Sequence, residues 1–278
     1  MTRKSRRKPR ATREAQGNLY GRLLIGLVIV TLFGLGYSLW THKQQHRVLD
    51  PVTQCPKEPM DSDSITALLV DMTDGMTVAQ MKDFQNQLEA VRDNIPKYGR
   101  LEIFSVDSTT GSLLNPVVSV CNPGRGMGID PLFGNPQKME KRWEAGFRAP
   151  IDKAFESITK LKGAGNSPIL ESIQSVALTS FQSVDRVGRP HKLIIASDLL
   201  QFTRDFNFYK GLPSLETLLE SPAFRTVRTD LRGVEVELWM LQRTDLAHLQ
   251  TRNLAETLWG GVLIEQGAQI IRIYRVSG

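Results

Sequence analysis

Ile65-Thr66-Ala67-Leu68-Leu69-Val70-Asp71 and Lys192-Leu193-Ile194-Ile195-Ala196-Ser197-Asp198 decide how this chain folds. Each is a short, almost unbroken apolar run that stops at an aspartate. A strand with one wet face alternates apolar and polar side chains. A strand covered on both faces does not, so these runs read as central strands of a parallel sheet.

The segments between them carry the other periodicity. From Val78 to about Ile95, Met81, Phe84, Leu88, Val91 and Ile95 recur at spacings of three and four, the pattern of an amphipathic helix, with Thr77 placed to cap it. Leu101–Val106 is a second strand. Val117–Cys121 is a third, expected antiparallel because only a loop separates the two. The stretch from Asn122 to Pro136 is rich in Gly and Pro. Its Gly124, Gly126 and Gly128 alternate without the G-x-G-x-x-G spacing that a dinucleotide site needs, so it reads as a flexible loop. A helical pattern covers Lys138 to about Lys162, interrupted at Pro150. Another covers Pro168–Phe181, with Ser167 as its cap and proline at its first position. Val234–Leu241 is a strand, Leu246–Trp259 a helix and Gln269–Val276 a final strand. Strands alternating with helices predict an α/β fold: a doubly wound, mostly parallel Rossmann-like sheet with one antiparallel edge strand, over residues 65–278. The three prolines Pro51, Pro56 and Pro59 make 41–64 a linker.

Ahead of the linker, Leu23–Trp40 is an uncharged run, LLIGLVIVTLFGLGYSLW, near the minimum for a membrane-crossing helix, with Tyr20, Tyr37 and Trp40 near its ends. A cleaved leader would have a shorter apolar core and a small-x-small site, which Gly36-Tyr37-Ser38 serves poorly. Residues 1–22 hold eight cations and one acid, a charge of +7 against +6 for the whole chain, so the remainder carries −1. The basic tail therefore predicts an N-terminus held in the cytoplasm and a C-terminal domain exported to the extracytoplasmic or periplasmic side. Contact of the tail with anionic lipid is a second use for its charge. The near-neutral remainder argues against nucleic-acid binding by the folded domain. Two cysteines, Cys55 and Cys121, in an oxidising compartment suggest one disulfide, the alternative being two buried thiols.

In a doubly wound sheet, ligands sit at the carboxyl ends of the strands. Three segments meet that rule: Asp71-Met72-Thr73-Asp74-Gly75-Met76-Thr77 after the first strand, Gly165-Asn166-Ser167-Pro168-Ile169-Leu170 opening a helix, and Ser197-Asp198 closing a central strand. Together they bring two carboxylates and several hydroxyls to one rim, the oxygen chemistry that a hard divalent cation takes. Asp205-Phe206-Asn207-Phe208-Tyr209 follows closely, and two readings stay open for it: a loop that overhangs the rim, or one that packs over the sheet edge.

On these residues the chain resembles the von Willebrand factor A (VWA) family, over roughly residues 65–275. That family's metal-ion-dependent adhesion site combines an Asp-x-Ser-x-Ser after the first strand, a Thr in a Gly-Thr-Pro-Leu-like turn, and an Asp-Gly at the end of the fourth strand. Asp71 and Thr73 match the first part, with Gly75 where the second hydroxyl would be and Asp74 or Thr77 as substitutes. Ser167 stands at the threonine, and Asp198 matches the last part with Leu199 in place of glycine. The resemblance implies a Mg²⁺-type site on Asp71, Thr73, Ser167 and Asp198, used to bind another protein.

Enzyme readings fare worse. Asp71 could serve a metal-dependent phosphohydrolase as nucleophile, but a resemblance to the haloacid dehalogenase-like phosphatases, which begin Asp-x-Asp, would need a second acid as the leaving-group donor where this chain has Thr73. No G-x-S-x-G and no phosphate-binding loop occurs in the sequence.

Overall fold

The computed structural model describes residues 24–37, 47–57, 62–106, 113–127, 129, 134–160, 165–182 and 189–276. The chain divides into two compact units, Met1–Val48 and Leu49–Gly278. In the first, residues 24–37 are helical, and their apolar side chains, Leu24 to Tyr37, are exposed. Among the described residues no helix is long and apolar enough to cross a membrane. The basic tail and the ends of the expected span, Leu23 and Ser38–Trp40, lie outside the described residues.

The second unit is built on six strands: β1 (Ile65–Val70), β2 (Arg100–Ser105), β3 (Val118–Cys121), β4 (His191–Ser197), β5 (Val234–Leu241) and β6 (Gln269–Val276). Their order is β3-β2-β1-β4-β5-β6. Only β2 and β3 pair antiparallel; every other neighbour is parallel. β1 lies between β2 and β4, so the winding reverses at the β1/β4 boundary. The register Val70↔Ala196 brings Asp71 and Asp198 to the same end of that boundary. Asp71 N–H donates to Ala196 O at 2.8 Å, carrying the ladder one residue beyond the strand.

Both faces are covered, as the apolar runs require. Ile65, Ala67, Leu69, Leu193, Ile195, Val236 and Leu238 point to one face. They meet α4 (Ile169–Val176) with its π-helical continuation Ala177–Phe181, α5 (Leu215–Glu220), α6 (Pro222–Val227), and a π-helical turn, Asn253–Trp259, that leads into α7 (Gly260–Glu265). Leu68, Val70, Ile103, Ile194, Ala196 and Trp239 point to the other, against α1 (Val78–Asn94), α2 (Pro136–Trp143) and α3 (Ala149–Thr159). Each buried Val, Leu or Ile among them is worth about 1.5–3 kcal/mol of transfer free energy.

Thr77 caps α1 in a full capping box with Gln80. The interruption expected at Pro150 is a wider turn rather than a break. Proline has no amide to donate, and its ring crowds the carbonyl four residues earlier. The helix accommodates this with a π-turn over Glu144–Arg148, closed by Ala149 N–H on Glu144 O. The helix expected over Leu246–Trp259 begins later: Leu246–Gln250 form turns, and regular structure starts at Asn253.

Residues 49–57, expected to be linker, belong to the compact unit. Cys55 and Cys121 form a disulfide with Cα atoms 4.7 Å apart. Cys121 N–H donates to Thr53 O at 2.8 Å, and Gln54 Oε1 accepts from Arg142 Nε at 2.6 Å. Gly146 leaves room for Gln54, whose side chain would lie 2.6 Å from a Cβ there. The segment thus covers the exposed side of edge strand β3, where unpaired backbone would otherwise invite another strand.

Candidate functional site at the carboxyl rim

Asp71 and Asp198 leave the ends of β1 and β4 and are both buried, each only 2% exposed. Asp71 collects three donors. Ser167 Oγ donates to its Oδ2 at 2.7 Å, Ser197 Oγ to the same oxygen at 2.9 Å, and Thr73 N–H to Oδ1 at 3.1 Å. Ser197 Oγ in turn accepts from Leu199 N–H at 2.9 Å. Ser167 therefore does not cap the helix that follows. No side chain caps α4, because this hydroxyl is spent on a buried carboxylate, where a charge-assisted bond is stronger than a cap. A two-way backbone pairing between Ser167 and Phe202, 2.8 and 2.9 Å, holds it in place.

Asp198 is held differently. Its Oδ1 accepts Leu200 N–H at 2.9 Å, and its Oδ2 lies 3.4 Å from the Tyr209 hydroxyl. The same phenol donates to Asp74 Oδ2 at 3.1 Å, so Tyr209 links the loops after β1 and β4. Arg243, two residues past β5, lies with Nε 3.8 Å from Asp198 Oδ2, and its Nη1 donates to the carbonyl of Gly75. Gln250 ties the ends of β4 and β5 by donating to Asp198 O and Leu241 O. Burial, and then the nearby charge of Asp71, push the Asp198 carboxyl up to about 7; Leu200 N–H and Arg243 hold it from going higher. Burial, followed by the negative charges of Asp198 and Asp74, raises the Tyr209 phenol above its ordinary range.

Of the residues expected in a metal site, Asp71, Ser167 and Asp198 come together, and Thr73 joins through its amide. Asp74 is exposed and reaches the group through Tyr209. Thr77 is committed elsewhere, its Oγ1 accepting Gln80 N–H at 3.2 Å. Leu199 stands where the VWA pattern has glycine, and its φ of 66° shows why glycine suits: the backbone is left-handed. Leucine bears that conformation with a fully buried side chain and with its carbonyl accepting Trp259 Nε1 at 2.8 Å. Ser197, Tyr209 and Arg243 complete the site and were not singled out as site residues from the sequence.

With Arg243 in place, the rim does not suit a resident divalent cation. The hydroxyls fit one, but Gly75 offers only a carbonyl, and Arg243 already uses it. Both carboxylate oxygens of Asp71 and Oδ1 of Asp198 have protein donors, and a guanidinium stands beside Asp198 Oδ2. Among the described residues no three His, Cys, Asp or Glu gather as a metal group.

A cavity of about 340 Å³ opens beside the site, lined by Thr77, Gln80, Gln242, Arg243, Asp245 and Gln250. Larger cavities of about 600 and 430 Å³ lie at the amino ends of the strands, around Arg228–Arg232 and around Pro190–Lys192, away from the paired carboxylates.

No family profile matches this sequence, and no curated protein is similar to it. Among solved structures, the chain is similar to the VWA domain of SpRpn10, with 8% identity, 77% of this chain and 89% of that one covered, and a TM-score of 0.40. It is also similar to the conserved hypothetical protein BatB from Bacteroides thetaiotaomicron (9% identity, 76% and 90% covered, TM-score 0.38). A third is an aerotolerance-related membrane protein from Bacteroides fragilis (10% identity, 75% and 90% covered, TM-score 0.35).

Proposed function

We propose that this chain is a membrane-anchored VWA-like interaction module that binds another protein at the carboxyl rim of its sheet. The observation that carries the reading is the convergence of three loops on the buried pair Asp71–Asp198, at the one place where the winding of the sheet reverses. Loops brought together at such a point form the usual ligand crevice of an open α/β sheet. The strand order and the positions of Asp71, Ser167 and Asp198 support the VWA-like reading. The apolar exposed helix 24–37, behind a +7 tail, supports an anchor with the domain outside the cytoplasm.

The rim offers a partner little beyond a contact surface. Asp71 and Asp198 are buried, so an incoming protein meets exposed Asp74, Thr77 and Val78, half-buried Tyr209, and the cavity beside Arg243. A phosphohydrolase would need an open nucleophile, whereas both oxygens of Asp71 are engaged by donors.

The test is isolation of the full chain from its native membrane in mild detergent. Asp74→Ala should reduce recovery of a partner that copurifies with the wild type. Asp230→Ala, which removes an equally exposed acid near the amino ends of the strands, should not. Equal retention by both variants, or equal loss, would place binding away from the rim.

A further inference from the structure

We propose that Arg243 is the resident cation of this rim: its guanidinium stands in for the divalent ion of a VWA adhesion site and excludes one. A cation at such a site would bridge the loop after β1 to the carboxylate after β4. Arg243 makes that bridge from β5. Its Nη1 donates to Gly75 O, with Asp74 O at 3.4 Å, and its Nε faces Asp198 Oδ2 at 3.8 Å without a hydrogen bond of its own.

The arginine is built in rather than draped over the surface. Its side chain is 12% exposed, and its own N–H donates to Gln250 Oε1, the amide that also ties β4 to β5. Gly75 adopts φ +65° and closes a turn by donating to Met72 O. With no side chain, it presents its carbonyl, and Arg243 takes it. Arg243 thus reaches the position where the adhesion-site pattern would have a hydroxyl. A divalent ion between Asp71 and Asp198 would sit within a few ångströms of a fixed positive charge in a buried setting. Repulsion there weakens binding by more than about a hundredfold.

The inference rests on the rim being the functional face, but its test involves no partner, so the two readings fail separately. The full chain in detergent is titrated with Mn²⁺, free ion being followed by electron paramagnetic resonance, and its melting is recorded with and without Mg²⁺. The wild type should show no saturable binding at millimolar Mn²⁺ and no shift in melting. Arg243→Gln, which removes the charge and keeps an N–H donor at about the position of Nε, should gain one Mn²⁺, bound at least about a hundredfold tighter than by the wild type. Adding Asp71→Asn should abolish it. If Arg243→Gln does not fold alone, Mn²⁺ should restore its melting transition. A wild-type site that Asp71→Asn removes would overturn the proposal. So would a folded Arg243→Gln that binds no Mn²⁺, or an unfolded one that Mn²⁺ does not restore.

Discussion

Asp198→Asn should make the domain more stable, and increasingly so as pH rises. The wild-type carboxyl titrates near 7 in the fold against 3.8 for an unperturbed aspartate. A carboxyl whose pKa is raised by folding is neutral in the fold at low pH and costs nothing there. Its contribution to stability is full below pH 4 and is lost as pH climbs through 7. Each pKa unit is 1.36 kcal/mol, so the loss is about 1.5 kcal/mol at pH 5 and levels off at about 4 kcal/mol by pH 8. Asparagine has no charge to desolvate. Its carbonyl can accept Leu200 N–H as Oδ1 does, and its NH₂ can donate to the Tyr209 oxygen. Any offset from the amide itself is the same at every pH, so the readout is the change in the gap, about 2.5 kcal/mol between pH 5 and pH 8. Urea denaturation of residues 49–278 reports it through the buried Trp143, Trp239 and Trp259. A gap that stays flat across that range would show that Asp198 is not held neutral, and would refute the coupling to Asp71.

Ser167→Ala and Ser197→Ala each take a donor from a buried carboxylate and should cost about 1.5–3 kcal/mol, with Ser197 the larger because Leu199 N–H loses its acceptor as well; urea midpoints check this, and two neutral variants would contradict it. Replacing Cys55 and Cys121 with serine should cost about 2–4 kcal/mol and loosen residues 49–57, read as a lower melting temperature with faster amide exchange in that segment. A reporter active only outside the cytoplasm, fused after Gly278, should be active; a silent reporter with intact fusion protein would reverse the proposed topology.

All six strands were legible in the sequence, β1 and β4 most plainly, because strands buried on both faces write themselves as continuous apolar runs. Even the antiparallel direction of β3 could be read, because only a loop and no helical pattern separates it from β2. α5 and α6 were not read, although Ser214 and Ser221 cap them and Pro222 opens the second; six-residue helices leave too little periodicity to see. The strand-end aspartates were visible for the same reason as the strands. Thr73 and Ser167 were named with them, whereas the bonds of Tyr209 and the part of Arg243 were not visible. Tyr209 and Arg243 join the site only because β5 lies beside β4 and the 199–210 loop folds back, facts of topology rather than of spacing. Ser167 was read both as a site residue and as a helix cap, and only the cap fails, because an N-cap serine and a serine aimed at a distant carboxylate look alike in sequence. Only the tertiary partner decides between them.

The most direct test of rim docking is photo-crosslinking in the native membrane from two positions. One is Val78, 89% exposed beside the site, and the other Arg232, whose side chain is 82% exposed near the amino end of β5. The account predicts a discrete protein adduct from position 78 that fades with Asp74→Ala, and none from position 232. An adduct from position 232 alone would contradict it.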